Sequence, residues 1–499
     1  MQKVCSKPID RGVLKVLVLM IALTTMVART MAAEDRLPNI VLIVADDMGY
    51  ADAGCNGSTD IRTPNLDQLA ASGSRFTNFN VVQAVCTASR AALLSGCYPN
   101  RIGLAGALNH TSRTGINPDE TLLSELCQAR GYSCACFGKW HLGTRPEFDP
   151  LRHGFNQWLG LPYSNDNGPL HPTVRGIPAL PWIENGRTVE LDPDQSTFTR
   201  RLTEAALRFI DTNKDRPFFL YVPHVMPHVP IAASEAFKGK SSRGLYGDVV
   251  EELDWSIGQI LGRLHAQGLD ESTLVIFLSD NGPFLSYGDH AGSADPFREG
   301  KLTTFEGGVR VPFLLRWTNR IPANRVESQF MTGLDLFPTL AKIIGATHPS
   351  NKIDGMDLLP LWLGQPNATG RSEFAYYSGS ELHAVRQGKW KMHFPHEYLT
   401  VNGPPGRGGK PANFEHLTPK SIEESGIRGI ATRHGYRFEK LPTSLFNLEV
   451  DPGEGNNLVD KHPDVVAKLQ ALGESYRKQL GDTLTNVQGD ELRLVGHVD

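Results

Sequence analysis

The sequence predicts an α/β fold, with a large, mostly parallel sheet sandwiched by helices and a smaller C-terminal α+β domain containing a short antiparallel sheet. Three observations carry this. Apolar, β-branched runs of strand length recur over the first 370 residues, helix-length stretches alternate with them, and polar clusters directly follow several of the runs. After about Gly370 the texture changes to short strands and one final helix. The expected division is a leader at 1–33, a main domain at 34–370 and a smaller domain at 371–499.

The first run, NIVLIVA from Asn39 to Ala45, is uninterrupted, as in a strand buried on both faces, and Asp46 and Asp47 follow it. Thr63-Pro64 supplies an N-cap and a first-turn proline for a helix ending before Gly73. Cys86 precedes an Ala/Leu-rich helix for which Ser89 is the expected N-cap. Residues 121–130 read as a helix and 132–137 as a strand leading into GKWHLG. Next come a helix at 198–213, a strand at 217–222, a long helix at 248–267 and a buried strand at 274–278 that runs into Ser279-Asp280-Asn281-Gly282. Further on, 381–394 reads as short strands around Gln387-Gly388, and the Gly/Pro-rich stretch 402–411 as a mobile surface loop. Residues 463–480 form a packing helix with Val465, Leu469, Leu472 and Tyr476 at helical spacing.

Composition excludes several classes. At 499 residues, 40% hydrophobic and 21% charged, the chain is neither disordered nor fibrous, and a formal charge of −4 leaves no basic excess for a nucleic-acid partner. Lys3, Lys7, Arg11 and Lys15, an apolar stretch at 16–27 and the small pair Ala32-Ala33 read as a signal peptide. That stretch is too short to be a stable membrane span, so the expectation is export: periplasmic or secreted, or lysosomal or lumenal in a eukaryote. The C-x-C at Cys134 and Cys136 lacks the further cysteines or histidines of a zinc tetrad.

Ligands of open parallel sheets collect at strand C-termini. Three predicted strands end in chemically useful groups: Asp46 and Asp47, Lys139 and His141, Asp280 and Asn281. The acidic set offers only oxygen, which selects a hard cation, Ca²⁺ by preference with Mg²⁺ possible. Lys139 and His141 are two apart, so in an extended segment both face the same way and would grip one anion. Cys86 and Arg90, one helical turn apart, place a thiol beside a fixed cation near exposed helix amides. Ser164 in LPYSNDNGP, His228 in HVMPHVP and Lys301 in GKLTTFEGGVRVP complete the candidates. Each has an ordinary structural use on its own, as a packed cysteine, a turn-forming aspartate or a solvated lysine.

Together and in order, these segments resemble the type I sulfatases. CTASRAALLSG matches C-x-[P/A]-S-R-x4-[S/T]-G, and NIVLIVADDMGYAD, GKWHLG, HVMPHVP, LSDNG, GKLTTFEGGVRVP and DGMDLLP extend the likeness from about Pro38 to Leu363. GKWHLGTRPEFDPLRHGF and LPYSNDNGP are similar to the arylsulfatase A and N-acetylgalactosamine-6-sulfatase branch. The resemblance implies the alkaline-phosphatase-like sulfatase fold and a sulfuric-ester hydrolase acting on a sulfated carbohydrate or aryl sulfate. It also implies that Cys86 is oxidised to Cα-formylglycine by a maturation enzyme, leaving five cysteines and at most two disulfides. By motif, Asp46, Asp47, Asp280 and Asn281 would bind the metal together with residue 86. Arg90, Lys139, His141, Ser164, His228 and Lys301 would line the sulfate pocket, with His228 and Lys301 protonating the leaving oxygen and His141 assisting loss of sulfate. Ala88 stands where many members have proline, which leaves the type of maturation system open. Two other readings remain: a phosphodiesterase or phosphonate hydrolase on the same scaffold, and an unmatured, inert carbohydrate-binding relative.

Overall fold

The structure, a computed structural model, describes residues 37–403, 406–412 and 434–499; the expected signal peptide lies outside them. Ten strands form the large sheet: β1 (Asn39–Ala45), β2 (Ser74–Phe76), β3 (Ser133–Lys139), β4 (Gln157–Leu161), β5 (Pro181–Glu184), β6 (Arg187–Leu191), β7 (Phe218–Pro223), β8 (Thr273–Ser279), β9 (Phe313–Arg316) and β10 (Arg325–Glu327). Across the sheet they run β10-β2-β9-β8-β1-β7-β3-β4-β5-β6. The central strands β8-β1-β7-β3-β4 are parallel, as expected. The margins are mixed, because β9 is antiparallel to both β8 and β2, and β5 is antiparallel to β4 and β6. Asn185 and Gly186, both at positive φ, close β5 and β6 into a tight hairpin that the strand–helix alternation does not reveal.

Seven helices matter for the core and the site: α1 (Pro64–Ala71), α2 (Cys86–Ser95), α3 (Leu123–Ala129), α4 (Phe198–Asn213), α5 (Gly244–Ala266), α6 (Leu336–Ile344) and α7 (Pro463–Leu480). Strand periodicity divides β1 between two cores. Ile40, Leu42 and Val44 pack with Leu94 of α2, Leu126 of α3 and Leu340 of α6, whereas Val41, Ile43 and Ala45 pack with Leu66 of α1, Phe209 of α4 and Ile257 of α5. The unbroken apolar run of β1 reflects this two-sided burial.

One expected cap is wrong. Helix α2 begins at Cys86 itself, with extended Val85 in the cap position, and Ser89 lies inside the first turn with its N–H already bonded to the Val85 carbonyl. The six described cysteines are all unpaired.

The smaller sheet is antiparallel. Its strands are β11 (Glu373–Ser378), β12 (Glu381–Gln387), β13 (Trp390–His393) and, after the β14 (His396–Val401) and β15 (Tyr436–Leu441) pair, β16 (Ser444–Asn447), in the order β11-β12-β13-β16. Leu469 and Leu480 of α7 pack into the same core as Leu382 and Val385 of β12. The described part of the Gly/Pro-rich loop is tied down, since Gly406 and Ala412 both donate backbone N–H groups to the Ser286 carbonyl.

A buried ionic cluster fastens this sheet to the larger one. Lys391 Nζ donates to the Thr304 carbonyl at 2.7 Å and to Glu306 at 3.0 Å, and lies 3.1 Å from Glu454, which also pairs with His393. Removing the cation leaves two buried carboxylates facing each other. Lys391→Met is therefore expected to cost about 3–5 kcal/mol in urea unfolding; a loss below about 1 kcal/mol would show that the cluster adds no such constraint.

Candidate active site

Strand register builds the floor of the site. Ala45 of β1 lies opposite Ser279 of β8, and the Asp280 N–H continues the pairing to the Ala45 carbonyl at 3.0 Å, so Asp46 and Asp280 emerge side by side. The chain then turns sharply. Asp47 has φ +66°, its N–H donates to Asp280 Oδ1 at 3.2 Å, and the Met48 N–H donates to Ser279 Oγ at 2.9 Å. Left-handed backbone at a non-glycine residue is strained, and here it aims the Asp47 carboxylate back toward Asp46.

Three fully or nearly fully buried cations meet these carboxylates. Arg90 of α2 forks onto Asp280 Oδ2 at 3.0 and 2.8 Å, lies 3.2 Å from Asp46 and donates to the Lys139 carbonyl at 2.8 Å. Lys139, the last residue of β3, donates to Asp46 Oδ2 at 2.6 Å and to Ser164 Oγ at 3.1 Å. Lys301 Nζ donates to both oxygens of Asp47, at 2.7 and 2.9 Å. Burial alone would push Asp46 up, but Lys139 and Arg90 outweigh it and hold its carboxyl below the usual range. Burial likewise favours neutral lysine, yet Asp47 keeps Lys301, and Asp46 keeps Lys139, above the ordinary lysine range.

Cys86 sits in the middle of this set. Its Sγ lies 3.4 Å from Asp46 Oδ1 and 3.4 Å from Lys301 Nζ. Burial, reinforced by Asp46, pushes the thiol well above its ordinary range, so the encoded side chain is neutral and a poor nucleophile.

Two histidines complete the constellation. His141 does not extend the strand as the two-residue spacing suggested: β3 ends at Lys139, and His141 has φ +60°. Lys139 therefore points under the floor while His141 turns to donate from Nε2 to the Leu108 carbonyl at 2.8 Å. Its Nδ1 is buried and, among the described residues, without a hydrogen-bond partner. Burial and then Lys139 drive His141 well below the ordinary histidine range, leaving a neutral ring with an acceptor at Nδ1. His228 turns Nδ1 to the Val229 carbonyl at 2.5 Å, and its Nε2 lies 3.1 Å from Ser164 Oγ and 3.6 Å from Asp47.

Cys86, His141, Ser164, His228 and Lys301 all open onto one cavity of about 330 Å³, while Asp46, Asp280, Arg90 and Lys139 lie buried beneath it. Among the described residues, the compact group able to hold a metal is Asp46, Asp47, Cys86 and His228, with ligand atoms within 4.8 Å of one another. Asp280 and Asn281 flank that group: Asp280 faces Arg90, and Asn281 Nδ2 donates to Asp47 Oδ1 at 2.6 Å while its Oδ1 is buried without a partner. An orphaned amide oxygen beside three carboxylates fits a hard cation. Every sequence-predicted site residue thus falls in one place.

A sulfatase family model matches residues 38–346, and a model for the C-terminal region of aryl-sulfatases matches residues 369–491. The chain belongs to the sulfatase family. It is 39% identical to bovine arylsulfatase A over 87% of this chain and 86% of that one, and 38% identical to canine N-acetylgalactosamine-6-sulfatase over 89% and 86%. The solved PsFucS1 sulfatase from Pseudoalteromonas superposes with a TM-score of 0.75 at 25% identity, covering 91% of this chain and 92% of that one. The protein is a sulfuric-ester hydrolase, and the cavity above Cys86 is its candidate active site. Among the described residues, no helix of this sulfatase is long and apolar enough to cross a membrane.

The cavity has a wall that the sequence motifs did not pick out, formed by Asp166, Asn167, His171, Tyr377 and His434. Asp166 was within reach, two residues after Ser164 in the same polar turn. Tyr377 and His434 come from the far end of the chain, where no local pattern links them to a strand end of the large sheet.

Asp280→Ala should leave Arg90 buried without its forked partner and lower unfolding stability by about 3–5 kcal/mol. An unchanged urea midpoint would mean that Asp46 alone satisfies Arg90.

Proposed function

We propose that this sulfatase removes sulfate from a sulfated carbohydrate or aryl sulfate, using a formylglycine made from Cys86 and a divalent cation, Ca²⁺ by preference. The observation that carries the reading is the placement of Cys86 at the cavity floor, 3.4 Å from both an acidic and a basic side chain. The names of the relatives, arylsulfatase A and N-acetylgalactosamine-6-sulfatase, support the two substrate classes.

The cation would be held by Asp46, Asp47, Asp280 and Asn281 with residue 86, and supplies Lewis-acid polarisation of the sulfate oxygens. Formylglycine made at residue 86 would supply a hydrated aldehyde, an oxygen nucleophile toward sulfur in place of the thiol. The chain's own groups do the rest. Lys301, fixed by Asp47 at the cavity surface, places positive charge where the sulfate oxygens bind and where negative charge grows as the S–O bond breaks, and Lys139, fixed by Asp46 beneath the floor, adds a second positive charge behind it. His228 holds Nδ1 on the Val229 carbonyl, so Nε2 is the atom presented to the cavity, and in its doubly protonated form it delivers the Nε2 proton to the leaving oxygen, a task shared with Lys301. His141, neutral with an open Nδ1 acceptor, takes the proton that accompanies sulfate release. Arg90 touches no cavity surface; it holds Asp46 and Asp280 in place from below.

The reading extends to the rest of the protein: residues 1–33 act as a cleaved signal peptide, the protein is exported, a maturation enzyme acts on Cys86 before or during folding, and a domain boundary falls near residue 370. Burial of Cys86 in the folded chain supports maturation before the cavity closes.

Three measurements test the proposal. Mass spectrometry of the peptide containing position 86, from protein made in its own host, should show the aldehyde, and unmodified thiol throughout would favour an inert binding relative. Cys86→Ala should lower kcat on a sulfate monoester by about 10⁴-fold or more, with turnover of phosphate diesters staying below that of sulfates in the native enzyme; faster diester turnover would support the phosphodiesterase reading. Chelation should abolish turnover and added Ca²⁺ restore it, and full activity after exhaustive chelation would remove the cation from the scheme.

A further inference from the structure

The cavity has two polar walls, and the sulfate chemistry uses only one. The second is built on the turn that follows Ser164. Asn165 is locked from behind, its Nδ2 donating to Gln195 Oε1 at 2.8 Å and to the Pro230 carbonyl at 2.9 Å, and the Asn167 N–H closes the turn onto the Ser164 carbonyl at 2.9 Å. Between them stands Asp166, half-buried at the cavity surface. Asn167 Nδ2 donates to Asp166 Oδ1 at 2.9 Å and fixes the carboxylate. Burial opposes its charge, but the imidazoles of His228, His171 and His434 hold the carboxyl well below the usual range, so it stands in the cavity as an acceptor.

His171 is equally well prepared. Its Nδ1 accepts the backbone N–H groups of Thr173 at 3.1 Å and Val174 at 2.9 Å, which puts the ring proton on Nε2 and makes that edge a donor. Phe284 adds an apolar face to the same cavity, with the Lys301 ammonium 4.8 Å from its ring centroid. A fixed carboxylate acceptor, an imidazole N–H donor and an aromatic face match a ring that carries hydroxyls on its edge and C–H groups on its face. A simple aryl leaving group has no edge hydroxyl to offer Asp166.

We propose that Asp166, supported by Asn167 and His171, is the specificity-determining carboxylate of a saccharide subsite, accepting hydrogen bonds from ring hydroxyls beside the sulfate ester. This rests on the reading of Cys86 and its surroundings as a sulfatase site, and selects the carbohydrate over the aryl substrate class. The subsite acts on binding and orientation of the leaving group, while bond breaking stays with the groups around Cys86.

The test compares hexose and hexosamine monosulfates with 4-nitrophenyl sulfate on the native enzyme, Asp166→Asn and Asp166→Ala. A hydrogen bond to a charged acceptor predicts that the ratio of kcat/KM for the best sugar sulfate over that for 4-nitrophenyl sulfate falls about 30-fold in the variants, carried mainly by KM. On the native enzyme, removal of the ring hydroxyl next to the sulfate should cost a similar factor, a measurement that does not depend on how the variants fold. An unchanged ratio, whether both substrates lose equally or neither loses, overturns the subsite, as does a deoxy sugar sulfate that is turned over as well as its parent. A native enzyme that hydrolyses 4-nitrophenyl sulfate and none of the sugar sulfates overturns the carbohydrate reading and the subsite together, whereas a native enzyme inactive on every sulfate removes the sulfatase reading beneath both.

Discussion

The site depends on keeping three carboxylates, Asp46, Asp47 and Asp280, packed together out of water. Buried charges of one sign repel strongly unless countercharges lie within contact distance. Arg90, Lys139 and Lys301 provide them, each tied to a different carboxylate or pair. Those pairings hold the strand ends β1, β3 and β8 and helix α2 in one arrangement. The same charges that stabilise the floor are aimed, through Lys301 and the helix start at Cys86, into the cavity where an anion would bind.

This arrangement gives the encoded cysteine an unusual setting. A thiol surrounded by cations is normally activated, yet burial and Asp46 dominate here and keep it neutral. The electrostatics are thus poor for thiolate chemistry and well suited to an oxygen nucleophile next to a hard cation. Each of the two histidines gives one ring N–H to a backbone carbonyl, His141 to Leu108 and His228 to Val229, which fixes His141 Nδ1 and His228 Nε2 as the atoms left for proton exchange. Which ring nitrogen takes part is set by carbonyl groups outside the reacting centre.

The small sheet has a part in the site beyond stability. Tyr377 at the end of β11 and His434 just before β15 reach the cavity that β1, β3 and β8 open at their C-termini. The C-terminal chain also returns to the larger unit, where Gly496–His497 pairs with Thr114–Gly115 and Arg493 binds Glu120. The two parts of the chain therefore shape one cavity, with residues after the strands of the large sheet on its lining together with Tyr377, Ser378, Gly379 and His434 from the C-terminal part.

The parallel centre of the sheet was legible in the sequence because a strand covered on both faces is apolar along its length rather than alternating, as IVLIVA at 40–45 and LVIFL at 274–278 are. The candidate site was legible for a related reason: strand C-termini of a parallel sheet collect along one edge, so Asp46, Lys139 and Asp280 fall on the same edge once their strands run parallel. What the sequence could not settle was direction within a few ångströms. The left-handed turns at Asp47 and His141, the helix start at Cys86 in place of a Ser89 cap, and the antiparallel margins all depend on contacts between segments far apart in the chain. The same is true of the wall made by Asp166, His171 and His434, for side chains separated by up to 268 positions become neighbours only after the core has closed, and no local periodicity encodes that meeting.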